Sequence, residues 1–229
     1  MVAKPRDGRA RVLAVRGLTP EILEADLGMD EPPALAFEAG QWISVPFGPK
    51  TVRAYSIAST PASPRVITLC ADVSPGGIGS AWFRDLRPGQ PVAFKGPLGG
   101  FVLHRGDPRR PLFVAEEIGI VPIRAILTEL YATGFGRPTA LVYWARDPGW
   151  LAYDAEFRSL ARRYPAFAYH PVTASAGRVS PADVVDRLVA GVEHLVAYVA
   201  GGQAMIDQVR QVLMAKGLER KAVKWERFW

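Results

Sequence analysis

Arg53-Ala54-Tyr55-Ser56-Ile57-Ala58-Ser59, in the first half of the chain, is the stretch on which the reading of the fold turns. Taken as a strand, it sends Arg53, Tyr55 and Ile57 to one face and Ser56 to the other. An Arg beside an aromatic can clamp a phosphate and stack on a flat ring. An ordinary strand could carry the same residues, so a second signal is needed. It comes in Gly76-Gly77-Ile78-Gly79-Ser80, which opens a short helix expected at Ser80–Leu86 with Ser80 as N-cap. Backbone N–H groups at a glycine-rich helix start attract anions, although turns use glycine whatever they bind.

Outward from these two stretches, residues from Arg9 to about Leu103 form short apolar runs. They are broken at Pro32-Pro33, Phe47-Gly48-Pro49, Pro75-Gly76-Gly77 and Pro88-Gly89. That spacing suggests an antiparallel barrel. After Arg105-Gly106-Asp107-Pro108 the rhythm changes. Strands are expected at Pro111–Ala115, Ala140–Trp144, Phe167–His170 and Leu195–Ala200. Helices are expected at Pro122–Tyr131, Ala152–Arg163, Pro181–Val189 and Ala204–Lys216, the last capped by Gly217. Alternating strands and helices imply a parallel sheet covered on both faces. The domain boundary is therefore placed near Asp107, giving 1–107 and 108–229.

In this order the two motifs resemble the flavin signature of the ferredoxin–NADP reductase family, RxYS followed by a GxxS helix start. Phe37-Glu38-Ala39-Gly40-Gln41-Trp42 resembles the family's strand ahead of the flavin. Lys95-Gly96-Pro97-Leu98-Gly99-Gly100-Phe101 resembles the GPxGxF that ends its barrel. The resemblance covers nearly the whole chain. It implies a six-stranded antiparallel β-barrel that binds FAD, followed by a five-stranded parallel, Rossmann-like α/β domain. It also implies that Arg53 meets the FAD diphosphate, with Gly77, Ile78, Gly79 and Ser80, while Tyr55 stacks on the isoalloxazine. Ser56 would hydrogen-bond near flavin N5. Cys70, in Leu69-Cys70-Ala71, is either a neighbour of FAD or a buried structural cysteine.

The second half resembles the family's NAD(P)-binding domain with departures. Where the family has GGTGIAP, this chain has Glu116-Glu117-Ile118-Gly119-Ile120-Val121-Pro122, so Gly119 and Pro122 match while two glycines are glutamates. Glycine lets backbone approach a diphosphate, and carboxylates remove that room and add like charge. Each carboxylate–phosphate pair at ~5 Å costs roughly 1–3 kcal/mol at an effective dielectric of about 20–80. The two side chains could instead point into solvent. The family's CGPxxM becomes Ala200-Gly201-Gly202-Gln203-Ala204-Met205, which keeps Gly201 and Met205. Arg146, in Val142-Tyr143-Trp144-Ala145-Arg146, matches the family's strand-end Arg on the adenosine side. In the tail Lys224-Trp225-Glu226-Arg227-Phe228-Trp229, the resemblance puts Phe228 and Trp229 over the flavin and gives Glu226 a part in proton or hydride chemistry. A packing anchor is the alternative for the aromatics.

Composition narrows the class. A chain of 229 residues, 49% of them hydrophobic, can bury one large core or two small ones. One cysteine excludes an internal disulfide and a four-thiolate iron–sulfur cluster held by one chain. The one-electron partner is therefore expected to be a separate carrier, and a net charge of +6 favours an acidic one such as a ferredoxin or flavodoxin. Basic residues fall in small groups with no long basic helix or zinc-knuckle spacing, so nucleic acid is not expected. His104, His170 and His194 show no metal spacing, so no metal is expected. Apolar runs are too short for a membrane helix, and no secretion signal is read, so the cytoplasm is the expected compartment. Three functions remain open: a NAD(P)H-linked reductase, a flavin subunit of a larger electron-transfer complex with a vestigial NAD(P) site, and a non-catalytic flavin redox sensor.

Overall fold

The computed structural model describes residues 4–104, 106–176 and 179–228. The chain divides into two compact units, Met1–Leu103 with Arg124–Gly134, and His104–Ile123 with Phe135–Trp229. The first holds β1 (Arg6–Gly17), β2 (Ile22–Glu31), β3 (Trp42–Pro46), β4 (Val52–Ser56), β5 (Val66–Asp72), α1 (Ile78–Arg84) and β6 (Pro91–Leu98). The strands form an antiparallel sheet in the order β4-β3-β6-β1-β2-β5. Its two edges approach each other, because Ile57 just past β4 bridges Leu69 in β5. The sheet is thus barrel-like, as the turn spacing suggests. Alternation drives it: along β1, Ala10 and Val12 are buried while Arg9 and Arg11 are exposed. Inward side chains such as Leu27, Ile43, Ile67, Leu69 and Phe94 make one core with Tyr55 and Phe83.

Helix α1 corrects the sequence reading. It starts at Ile78, two residues before Ser80. Its N-cap is Gly77, in extended conformation with no side-chain cap. Ser80 is buried inside the helix. Its hydroxyl therefore does not provide the expected cap.

The remaining elements are β7 (Arg110–Glu116), α2 (Ile120–Ala132), β8 (Thr139–Ala145), α3 (Asp154–Arg163), β9 (Phe167–Thr173), α4 (Pro181–Leu188), β10 (Leu195–Gly201), α5 (Gln203–Ala215) and β11 (Val223–Arg227). All the strands here pair in parallel, in the order β11-β10-β7-β8-β9. The central strands β7 and β10 are buried almost throughout, as expected of a sheet covered on both faces. The order reverses at β7, whose neighbours are β8 on one side and β10 on the other. In such sheets the ligand crevice lies at the carboxyl ends of strands where this reversal occurs. Helix α4 opens with a capping box in which Ser180 and Asp183 satisfy each other's backbone N–H groups. The fifth strand, β11, is built from the first part of the tail, with Trp225 opposite Val199 and Glu226 opposite Ala200. Among the described residues no helix is long and apolar enough to cross a membrane.

Candidate functional site

In the first unit the two glycine- and arginine-bearing motifs meet. Arg53 is exposed on β4, and Tyr55, two residues on, is buried. The Tyr55 hydroxyl donates to the carbonyl of Gly79 at 3.3 Å. A Cβ on Gly79 would lie 2.8 Å from that hydroxyl and 3.2 Å from Cγ of Arg53. Glycine at 79 is what lets α1 pass this close to β4. Gly76 and Gly77, by contrast, face open space: a Cβ on either meets nothing within 4 Å. Ile78, an apolar side chain at the first helical position, is 47% exposed. One exposed guanidinium, an open glycine turn and an exposed apolar residue thus share one edge of the sheet, and a diphosphate with its attached nucleoside fits that arrangement.

The Tyr55 ring also packs 5.4 Å from Trp82 and 5.7 Å from Phe83. Burial pushes its hydroxyl pKa up to about 12, against the Arg53 charge that lowers it, so it remains a donor. Ser56 is buried. Cys70 is buried on β5 opposite Glu24, its Sγ 4.0 Å from the Glu24 carboxylate. Glu24 in turn accepts from Arg16, at 3.1 Å from Nε and 2.6 Å from Nη2, and the same Arg reaches Asp26 at 2.7 Å. Thr68 donates to Asp26 at 2.8 Å. This polar row on β2 and β5 was not singled out from the sequence, although Glu24 and Asp26 interrupt an apolar strand at alternate positions. The end of the flavin-motif stretch is tied down as well: Arg124 donates to the Ala58 carbonyl at 3.0 Å, and Thr60 to Glu129 at 2.8 Å.

In the second unit the crevice at the order reversal is closely built. A Cβ on Gly119 would collide with the Ala200 carbonyl, and one on Gly201 would lie 2.6 Å from Cβ of Glu116 and 2.7 Å from Cε of Met205. Gly119, Gly201 and Met205 are thus brought together as the sequence suggests. Pro122 is buried in the first turn of α2, where a missing N–H is tolerated. The two glutamates do not point into solvent. Glu116 accepts the backbone N–H of Gly202 at 2.8 Å, at the N-terminus of α5. Burial raises its pKa and neighbouring Glu117 adds to this, while the Gly202 N–H opposes both. Glu117, 6% exposed and at a positive φ of 45°, holds Arg146 in a two-pronged ion pair with both contacts at 2.8 Å. The Arg146 guanidinium also lies 4.1 Å over the Trp150 ring. Trp150 was missed, though an aromatic four residues beyond a strand-end Arg is a visible signal.

Glu226 lies in β11 opposite Ala200, and the Phe228 N–H donates to the Gly201 carbonyl at 3.1 Å. Trp229 is outside the described residues. Among the described residues no group of three His, Cys, Asp or Glu side chains could hold a metal.

Residues 11–103 match the family model for the oxidoreductase FAD-binding domain. The chain is 32% identical to "Ferredoxin--NADP reductase B" of Sorangium cellulosum (strain So ce56), over 96% of each chain. It is 27% identical to the reductase component of propane 2-monooxygenase from Rhodococcus jostii (strain RHA1), covering 97% of this chain and 64% of that one. Among solved structures, the Amycolatopsis cytochrome P450 reductase GcoB superposes with a TM-score of 0.89 at 27% identity, over 98% of this chain and 70% of that one.

Proposed function

The chain belongs to the ferredoxin–NADP reductase-like family of FAD-binding oxidoreductases, and from that premise we propose that it takes electrons from NAD(P)H and delivers them to a separate one-electron carrier of ferredoxin or flavodoxin type. The observation that carries this reading is the match, over 96% of each chain, to a protein named as a ferredoxin–NADP reductase. The vestigial-site and redox-sensor alternatives are not favoured, because the relatives named as reductases align through the second half as well as the first.

FAD, when bound, accepts two electrons as hydride and releases them singly. The flavin domain is assigned to 1–107 and the nucleotide-binding domain to 108–229. In this reading Arg53 and the turn from Gly77 through Ile78 and Gly79 to Ser80 hold the diphosphate. Tyr55 and Ser56 would meet the flavin ring from β4, with Cys70 buried behind it on β5. Gly119, Pro122, Gly201 and Met205 shape the room for the dinucleotide, and Arg146 faces its adenosine end. The net charge of +6 attracts an acidic carrier. The cytoplasm is the proposed compartment.

The test is anaerobic. Protein purified with its flavin is expected to yield FAD on extraction and to bleach on addition of NADH or NADPH. It should then reduce an added ferredoxin or flavodoxin. Colourless protein that takes up no flavin would overturn the reading, as would flavin that only dithionite reduces.

A further inference from the structure

We infer that the second domain selects the dinucleotide whose adenosine carries a free 2′-hydroxyl, NADH, over NADPH, and that Glu117 is the residue that sets this preference. The inference rests on the reductase reading and specifies its donor. In a doubly wound sheet the pyrophosphate lies at the turn after the first strand, and the adenosine ribose at the end of the second. Here these strands are β7 and β8, which pair in parallel, and Arg146 follows β8 directly. An Arg at that place ordinarily receives a 2′-phosphate.

This Arg is already engaged. Its Nε and Nη2 donate to Oε1 and Oε2 of Glu117 at 2.8 Å each, and its backbone N–H approaches Oε1 at 3.4 Å. One face of the guanidinium is covered by Trp150. The carboxylate that holds it cannot readily step aside, because the Glu117 side chain is 8% exposed and rises from the tight turn between β7 and α2. A 2′-phosphate seeking Arg146 must displace this carboxylate or sit beside it. A like-charge contact of that kind lowers affinity by roughly tenfold or more. A ribose diol meets no such penalty, since its hydroxyls donate to a carboxylate, as in NAD-selective sites of this architecture. The same glutamate that removes a backbone glycine from the loop thus also pairs with the arginine that follows β8, where a phosphorylated ribose would be met.

Calorimetric titration of the FAD-loaded protein with NAD+ and with NADP+ tests this without turnover. NAD+ is expected to bind at least tenfold more tightly. Glu117→Gln keeps the shape but releases the guanidinium, so the ratio should fall to about threefold or less. A merely structural role for Glu117 would weaken both nucleotides together and leave the ratio where it was, which would overturn the assignment to this residue. Equal or tighter binding of NADP+ to the unaltered protein would overturn the preference itself, and that comparison stands even if the variant does not fold. Binding of neither nucleotide, with flavin reducible only by dithionite, would defeat the reductase reading and this inference together. Preference for NADP+ with rapid flavin reduction would defeat the inference alone.

Discussion

Glu116, the last residue of β7, accepts the backbone N–H of Gly202 at 2.8 Å, so a side chain 86 positions earlier caps a helix whose own N-cap residue has none. A carboxylate there is favoured by the helix dipole, yet burial lifts its pKa above the ordinary value. A folded-state pKa above the unfolded one means that the group's stabilising contribution is full at acid pH and is lost as pH rises through the folded value. Glu116→Gln keeps an acceptor for Gly202 and removes the titration. The variant is expected to be at least as stable as the parent at pH 7.5, with the difference shrinking toward pH 4. Urea unfolding at the two pH values measures it.

Two glycines should respond to the same added methyl group to very different degrees. Gly119→Ala places a Cβ against the Ala200 carbonyl, which is backbone and cannot swing aside. A loss of about 1–3 kcal/mol is expected, as for an overpacked core. Gly77→Ala meets nothing within 4 Å, so it should cost no more than about 1 kcal/mol, the scale of N-cap preferences. If the diphosphate lies on that turn, however, the second variant loses FAD affinity about tenfold while its unfolding midpoint barely moves.

Arg53 and Tyr55 should separate binding from folding. Arg53 is exposed, so Arg53→Ala is expected to leave apoprotein stability within about 0.5 kcal/mol. It should weaken FAD by roughly 10- to 100-fold, the loss of a charge-assisted contact of about 1.5–3 kcal/mol. Tyr55 packs among Trp82 and Phe83 in the core. Tyr55→Ala is expected to cost about 3 kcal/mol or more of folding free energy, as truncated buried aromatics do. Flavin dissociation constants together with apoprotein melting curves test both statements. An Arg53→Ala protein that retains FAD unaltered would remove Arg53 from the site.

Acid should unfold the second unit partly through Asp107. Hydrogen bonds from Arg109 hold its pKa down at about 2, against some desolvation. A depressed folded pKa gives stability that is complete above the ordinary carboxylate value and lost as pH falls toward 2. Asp107→Asn should therefore be less stable than the parent at pH 6, and the gap should close between about pH 4 and 2. Chemical denaturation across that range gives the curve.

Local pattern carried most of the architecture into view. Alternation along β1 and the unbroken apolar runs of β7 and β10 are properties of a few adjacent residues, and the structure has strands at each. What escaped was non-local or context-bound. Phe167–His170 reads as ending before Pro171, yet β9 continues to Thr173, because it lies at the edge of the sheet, where a strand tolerates proline. β11 is a strand only because β10 is there to pair with it, and nothing in five residues containing three charges announces that. Ser80 has the chemistry of a cap, but the helix starts earlier, with Gly79 packed beneath Tyr55. In the candidate site, residue types were legible while their pairings were not. Two glutamates in a row suggest repulsion of a phosphate, and only the fold reveals that one of them meets an amide and the other an arginine 29 positions away.

The position of Cys70 gives the experimenter a clock. It is the sole thiol in the chain, and it lies buried in the middle of β5. A thiol reagent can reach it only when that strand opens, so the rate at which native protein takes up a chromogenic label reports how often the barrel-like sheet breathes. Comparing that rate with and without bound FAD would measure how tightly the cofactor holds the sheet shut, with no engineered probe. Disulfide-linked dimers on a non-reducing gel would, by the same geometry, count molecules that have opened.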